Sequence, residues 1–376
     1  MKQIKEPAFR IVKRDNISRI RKVELYALAI FVALFAGGLL LLSMGVNSFK
    51  FYKDMLTIGV IDNRFAYKNI EGFIKMFVPL LITSLALSLA FKMKFWNIGG
   101  EGQFIMGATA ASAVALLLGE TMATLPLIIL MALSGAVFAG IYGMIVAVLK
   151  VKFGTNETLL TLMLNYIALY MLKFFGETKN GWNFFLSAES ERPRFQTFSE
   201  NAWMPVIHIG KFSLNISLIF AILLCVLVTA YLKKTKQGYE ILVVGDSANT
   251  ARYAGMKVNR IVIRTMFISA CLIGLAGAFY VSTSHTLSTS VTNNVGWTGI
   301  IVAWLSKLNT VVIAITSMLI SVLQYGCRVA SSEFPSIDSN FADLLQGIIL
   351  FLILIADFFI RFKIINTKKA RQEEQQ

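Results

Sequence analysis

The feature that most constrains this chain is a series of uncharged apolar runs, each close to the length that crosses a bilayer. A helix needs about 20 apolar residues to cover about 30 Å of hydrocarbon. Such runs occur at about 25–46, 73–91, 98–118, 125–149, 159–175, 212–232, 261–281, 309–329 and 341–360. A shorter one, about 297–305, lies between two of them. Hydrocarbon offers no water to an open N–H or C=O, so runs of this length are expected to be helices. Composition agrees, with 56% hydrophobic and 15% charged residues, against about 25% charged in soluble domains. A soluble enzyme, a disordered scaffold and a coiled coil are excluded. The fold class expected is an all-α polytopic membrane protein with about ten transmembrane helices.

The net charge of +15 would suggest nucleic acid in a soluble protein. Here its placement gives another reading. Counting 297–305 as a crossing puts both termini on one side, and that side then holds about 25 of the 36 Lys and Arg. Cations collect on the cytoplasmic face of membrane proteins, so both the N- and C-termini are expected inside. The excess reports orientation, and no nucleic-acid partner is expected. The expected organisation is a basic cytoplasmic segment over 1–24, a single transmembrane domain over 25–365 and a cytoplasmic tail over 366–376. Within the domain, 176–211 is an outer loop and 233–260 a cytoplasmic segment. The first apolar run is too long for a signal-peptide core and reads as an uncleaved anchor.

Several chemistries lack their residues. No phosphate-binding G-x-x-x-x-G-K-[ST] loop occurs, so no ATP is expected on this chain. His208 and His285 are its two histidines, and Cys225, Cys271 and Cys327 are scattered in apolar stretches. Neither a metal site nor a catalytic residue is expected. The acids sit near span ends, where Glu101 and Glu157 suit first helical turns. Lys75 and Arg328 can snorkel from span ends. Gly135, Ala139 and Gly143, spaced by four, suit close helix packing.

Two patterns stand out. Asn97-Ile98-Gly99-Gly100-Glu101-Gly102 opens one span, and Asn294-Val295-Gly296-Trp297-Thr298-Gly299 opens the short one. With five spans between them they would enter from opposite faces, as in inverted-repeat transporters. Residues 233–260 are too polar to span and too apolar for a free loop. Gly245-Asp246-Ser247-Ala248-Asn249 reads as a turn into a short helix, 250–254, which Gly255 ends. Gly245 and Gly255 are both expected to need an unusual φ.

Here the residues resemble a known family. Gly238, Gly245 and Ala251-Arg252-Tyr253-Ala254-Gly255 look like the cytoplasmic coupling segment of ABC-importer permeases of the branched-chain amino acid, ribose and nucleoside group. Phe95-Trp96-Asn97-Ile98-Gly99-Gly100-Glu101-Gly102-Gln103 resembles the F-N-I-G-x-E-G-Q signature of the nucleoside and simple-sugar branch, with Trp96 as an insertion. Asn156-Glu157-Thr158-Leu159-Leu160-Thr161-Leu162-Met163-Leu164-Asn165-Tyr166-Ile167-Ala168 is similar to that branch's N-E-x-x-x-T-L-M-L-N-Y-I-A stretch. Leu345-Gln346-Gly347-Ile348-Ile349-Leu350 also fits. The coupling segment departs from the pattern at Leu242, where arginine is common, and at Ser247-Ala248, where Asn-Pro is common.

The resemblance implies a type II ABC-importer-like permease in a bacterial cytoplasmic membrane. Its implied partners are an ABC ATP-binding subunit, a second permease chain, with a heterodimer favoured, and an extracytoplasmic substrate-binding lipoprotein. ATP is used by the partner ATPase. The implied cargo is a nucleoside, with a simple sugar such as ribose as the alternative and an ion-driven secondary carrier as a distant rival. For coupling, the residues are Gly238, Glu240, Gly245, Asp246, Ala251, Arg252, Tyr253 and Gly255. For the pathway they are Asn97, Glu101, Gln103, Asn165, Asn294 and Trp297. Amides and a carboxylate can hydrogen-bond ribose, and an indole can stack on a base. The same amides could instead bond across helices as structural glue.

Overall fold

The computed structural model describes residues 9–14, 17–61, 63–334, 337 and 340–366. The tail beyond 366 and the first eight residues lie outside them. In chain order the elements are β1 (Phe9–Lys13), α1 (Arg19–Ser43), α2 (Ser48–Leu56), α3 (Ala66–Lys92), α4 (Gly100–Leu118), α5 (Thr124–Phe153) and α6 (Glu157–Glu177). After a long connector come β2 (Val206–Ile209), β3 (Phe212–Asn215), α7 (Ile216–Lys234), α8 (Lys236–Asp246), α9 (Ala248–Tyr253) and α10 (Val258–Ser284). The chain closes with α11 (Val295–Leu305), α12 (Thr310–Glu333), α13 (Asn340–Arg361) and β4 (Phe362–Asn366).

Among the described residues, 9 helices are long and apolar enough to cross a membrane, with α11 as a shorter apolar helix. The protein is all-α and polytopic, a multi-pass membrane protein. Its span boundaries follow side-chain chemistry at the ends. The run at 212–232 loses its first residues to β3, because Asn215 caps α7 by accepting from Ser217 N–H at 2.9 Å. Asn156 likewise caps α6, so Glu157 takes the first turn as expected and pairs with Lys150 at the end of α5.

The chain divides into two compact units, Met1–Ile61 with Leu323–Gln376, and Asp62–Val322. In the first, α1 packs on α13, and Phe51 and Met55 of α2 are buried among Cys327, Ala330, Phe341 and Leu345. Tyr26 donates to Asp357 across α1 and α13 at 3.0 Å. β1 and β4 pair antiparallel, Phe9 opposite Asn366 and Lys13 opposite Phe362. Neither strand was foreseen from the sequence. Their pairing brings the start of α1 beside the end of α13. With 11 residues, α11 covers only about 17 Å, short of a full crossing.

In the second unit, α10 packs against α3, α4 and α5, and α11 packs against α3 and α4. The helices meet at glycine. A Cβ on Gly274 would run into the Gly135 carbonyl and Ala139, and one on Gly143 into Ala270. The four-residue spacing on α5 therefore works as read: small residues let two backbones touch where lipid provides no hydrophobic drive.

Candidate functional site

The Asn-containing break between α3 and α4 is built from amides. Helix α3 ends at Lys92, and Lys94 turns the chain with φ 57°. Asn97 and Gln103 then exchange two hydrogen bonds, Asn97 Nδ2 donating to Gln103 Oε1 at 3.1 Å and Gln103 Nε2 donating to Asn97 Oδ1 at 3.0 Å. Asn165 of α6 accepts from Gly102 N–H at 2.8 Å and donates to the Ile98 carbonyl at 2.9 Å. Thr161 accepts from Ile98 N–H at 3.2 Å. Asn97, Gln103 and Asn165 are buried. Their side chains replace the helix bonds that the break removes, the role of structural glue.

Glu101 is also buried, and its Oε2 accepts from Gly296 N–H at 3.0 Å. This carboxylate stands in the first turn of α4 and closes the first turn of α11 as well. Two helix N-termini, each with partial positive charge, thus converge on one acid. The glycines make this possible, since a Cβ on Gly296 would collide with the Glu101 backbone. The two Asn-x-Gly motifs, separated by about two hundred residues in sequence, meet in space. The helices before them correspond too: α3 and α10 each have 27 residues, and left-handed residues follow both, Lys94 and His285. Two consecutive left-handed residues, Asn293 and Asn294, lead into α11. Asn294 is exposed, and Trp297 is 41% exposed. Of the six pathway residues, four are therefore locked in the α4–α6–α11 junction and two stand open at the start of α11.

The 233–260 stretch contains two helices rather than one. Gly245 lies inside α8, and its φ is not left-handed. The expected turn comes two residues later, because Ser247 caps α9 by accepting from Thr250 N–H at 3.2 Å. What Gly245 supplies is proximity, since a Cβ there would strike the Lys92 carbonyl. Gly255, with φ 77°, ends α9 as read. Gly238 is pressed against the Tyr231 and Leu232 carbonyls. Ile241, Val244 and Ala251 are buried with Ala90, Met93, Phe95 and Val146, fastening the segment to the unit. Glu240 forms an ion pair with Arg264 of α10 at 3.0 Å. Lys94 Nζ donates to the Asp246 carbonyl at 3.2 Å. Arg252 is exposed and donates to Asn249 at 3.1 Å, and Tyr253 is 93% exposed. Among the coupling residues, Glu240, Gly238, Gly245 and Ala251 face inward, and Asp246, Arg252, Tyr253 and Gly255 face out.

Beside this segment is a cavity of about 380 Å³ lined by Lys94, Lys150, Asp246, Arg252 and Asn259 among others. At the other end of α10, the 178–215 connector is tied to the helix terminus. Phe198 N–H donates to the His285 carbonyl at 2.8 Å, and Met204 N–H to the Ser282 carbonyl at 3.2 Å. The Trp203 indole lies flat on the His285 imidazole, centroids 4.1 Å apart. Burial, and then the nearby Lys75 charge, push His285 below its usual pKa. This tie was missed in the sequence, where no local signal links Trp203 to His285. No group of His, Cys, Asp or Glu that could hold a metal occurs among the described residues.

The long apolar helices, the fastened pair of short helices and the two-glycine helix junction belong to a multi-pass membrane protein. The chain belongs to the family described as "Branched-chain amino acid transport system / permease component", whose model matches residues 69–354. It is 28% identical to the nucleoside ABC transporter permease protein NupB of Lactococcus lactis subsp. cremoris, over 95% of this chain and 97% of that one. It is 27% identical to the guanosine ABC transporter permease protein NupP of Bacillus subtilis, over 94% and 99%. It is 26% identical to the glucose ABC transporter permease protein TsgB13 of Haloferax volcanii, over 90% and 88%. No solved structure matches it. It is a multi-pass cell-membrane transport subunit.

Proposed function

We propose that the chain forms half of the pathway of an ATP-driven importer for nucleosides. The observation that carries this reading is the α8–α9 knob. Its apolar side is anchored in the second unit, and Arg252 and Tyr253 are presented to a partner. A segment so built transmits force: a push on α9 passes through Ala251 and Val244 to Met93 and the α3–α4 break. An ABC ATP-binding subunit is the partner proposed there, which places the knob, the basic N-terminus and the C-terminus in the cytoplasm. The 176–211 loop then faces outside, toward a substrate-binding lipoprotein, and a second, related permease chain completes the pathway.

The relatives named for nucleosides and guanosine support the cargo. Trp297, open at the start of α11, is the base-stacking candidate, with Asn294 beside it. The buried Asn97, Glu101, Gln103 and Asn165 hold the junction on which that face depends. A simple-sugar cargo is the second reading, favoured by the relative named for glucose. The test is reconstitution of the chain with its ATPase, companion permease and binding lipoprotein in vesicles. ATP-dependent nucleoside uptake is expected. Uptake of ribose or glucose without nucleosides would move the assignment to the sugar reading. Uptake driven by an ion gradient without the ATPase would overturn both.

A further inference from the structure

Lys75 lies within the third turn of α3, a helix most of whose remaining length is buried. It is half-buried. An ionisable group at such a place is costly, and it normally pairs or serves a substrate path. Glu71, one turn earlier, is its natural partner at i,i+4. That carboxylate is engaged elsewhere, accepting from Ser213 N–H of β3 at 2.7 Å. Among the described residues no carboxylate or carbonyl takes an N–H of Lys75. Its ammonium instead stands 5.9 Å from the centre of the Tyr280 ring on α10. The Tyr280 hydroxyl accepts from Asn293 Nδ2 at 2.8 Å, which leaves the hydroxyl's own proton to donate. Asn293 directly precedes the exposed start of α11 that carries Asn294 and Trp297. Among the described residues, two donors without acceptors thus lie on the adjacent helices α3 and α10, next to the segment that leads to the proposed stacking face.

We infer that Lys75 and the Tyr280 hydroxyl form a receiving site for a hydrogen-bond acceptor on the cargo, the exocyclic carbonyl of an oxo-nucleobase. This rests on the nucleoside reading. It adds a preference: guanosine, inosine and uridine offer a carbonyl at the edge where adenosine offers an amino group. An ammonium and a hydroxyl donor suit the carbonyl and leave the amino group without an acceptor. Both groups lie toward the Trp203–His285 end of α10, the side that faces the binding lipoprotein in the proposed orientation.

The experiment is uptake by the reconstituted importer of inosine, uridine and adenosine, with wild type, Lys75→Met and Lys75→Arg. Methionine in place of lysine favours membrane insertion, so lost transport would not report a failed fold. Lys75→Met is expected to lower inosine and uridine uptake about tenfold, the scale of one charged hydrogen bond, and to leave adenosine within about twofold. Lys75→Arg should restore most of the difference. Equal transport of all three by Lys75→Met and wild type would make Lys75 a snorkelling residue only and overturn the inference while leaving the nucleoside reading intact. An equal fall for all three would also overturn it. Wild type that carries no nucleoside would instead remove the reading on which the site rests.

Discussion

The Glu101 carboxylate of α4 accepts a 3.0 Å hydrogen bond from the Gly296 N–H of α11, across 195 positions of sequence. The bond ties the two Asn-x-Gly breaks into one junction. Glu101→Gln keeps an acceptor but loses the charge that faces two helix N-termini. A cost of about 1 kcal/mol is expected, against about 2–3 for Glu101→Ala, which leaves Gly296 N–H unpaired. Thermal unfolding in detergent should rank wild type, Gln and Ala in that order. Equal midpoints for all three would remove Glu101 from the junction.

Gly296→Ala should be worse than its size suggests. The new methyl meets the Glu101 backbone nitrogen and Cα, which cannot swing away, as well as its carboxylate oxygen. Overpacking of this kind costs about 1–3 kcal/mol. Uptake is expected to fall with it, because the start of α11 must shift. A fully active, fully stable Gly296→Ala importer would contradict the close approach described here.

Arg252→Glu and Tyr253→Ala change exposed side chains on α9, so the permease should fold and insert as wild type does. Their effect is expected in coupling: ATP-driven uptake should fall by about tenfold or more, the scale of an interface hot spot. Co-purification of the ATPase should weaken in parallel. Normal uptake by both variants would place the ATPase contact elsewhere.

Trp297→Ala should discriminate between cargoes. Stacking on a base is worth about 1–3 kcal/mol, and a free sugar has no base. Competition by nucleosides should weaken about tenfold, while competition by ribose changes little. Equal weakening would argue against stacking by this indole.

The Trp203–His285 stack should loosen in acid. Burial and Lys75 hold the imidazole below its usual value, so the neutral form is the one favoured when the connector is docked. Docking is then full above about pH 6.5 and is lost progressively as pH falls through that value toward the lowered one. Hydrogen exchange over residues 196–204 should rise on acidification. His285→Asn, which tolerates the left-handed backbone, should abolish the pH dependence. An unchanged rate in the wild type would show that His285 does not control docking.

The spans, the α5 packing stripe and the left-handed Gly255 were legible because each follows from local chemistry: apolar length, four-residue spacing, a residue without Cβ. The meeting of the two Asn-x-Gly motifs was legible only as a repeat. What a repeat cannot reveal is which polar atoms close the junction, since Asn97 could have faced cargo as readily as Gln103. Gly245 was misplaced because glycine marks a turn and a close backbone approach equally well. The β1–β4 pairing was hidden for a different reason. Its strands are five residues each, stand at opposite ends of the sequence, and carry no turn signal to connect them.

That pairing fixes the order of assembly. During synthesis α1 emerges well before α13, the helix it packs on, and β4 follows α13. Until then the side of α1 that meets α13 stays uncovered, with only α2 against the helix. The first unit is therefore completed only when α13 and β4 have left the ribosome. A chain stopped before β4 should leave α1 unlatched, a species recognisable by protease cleavage ahead of α1.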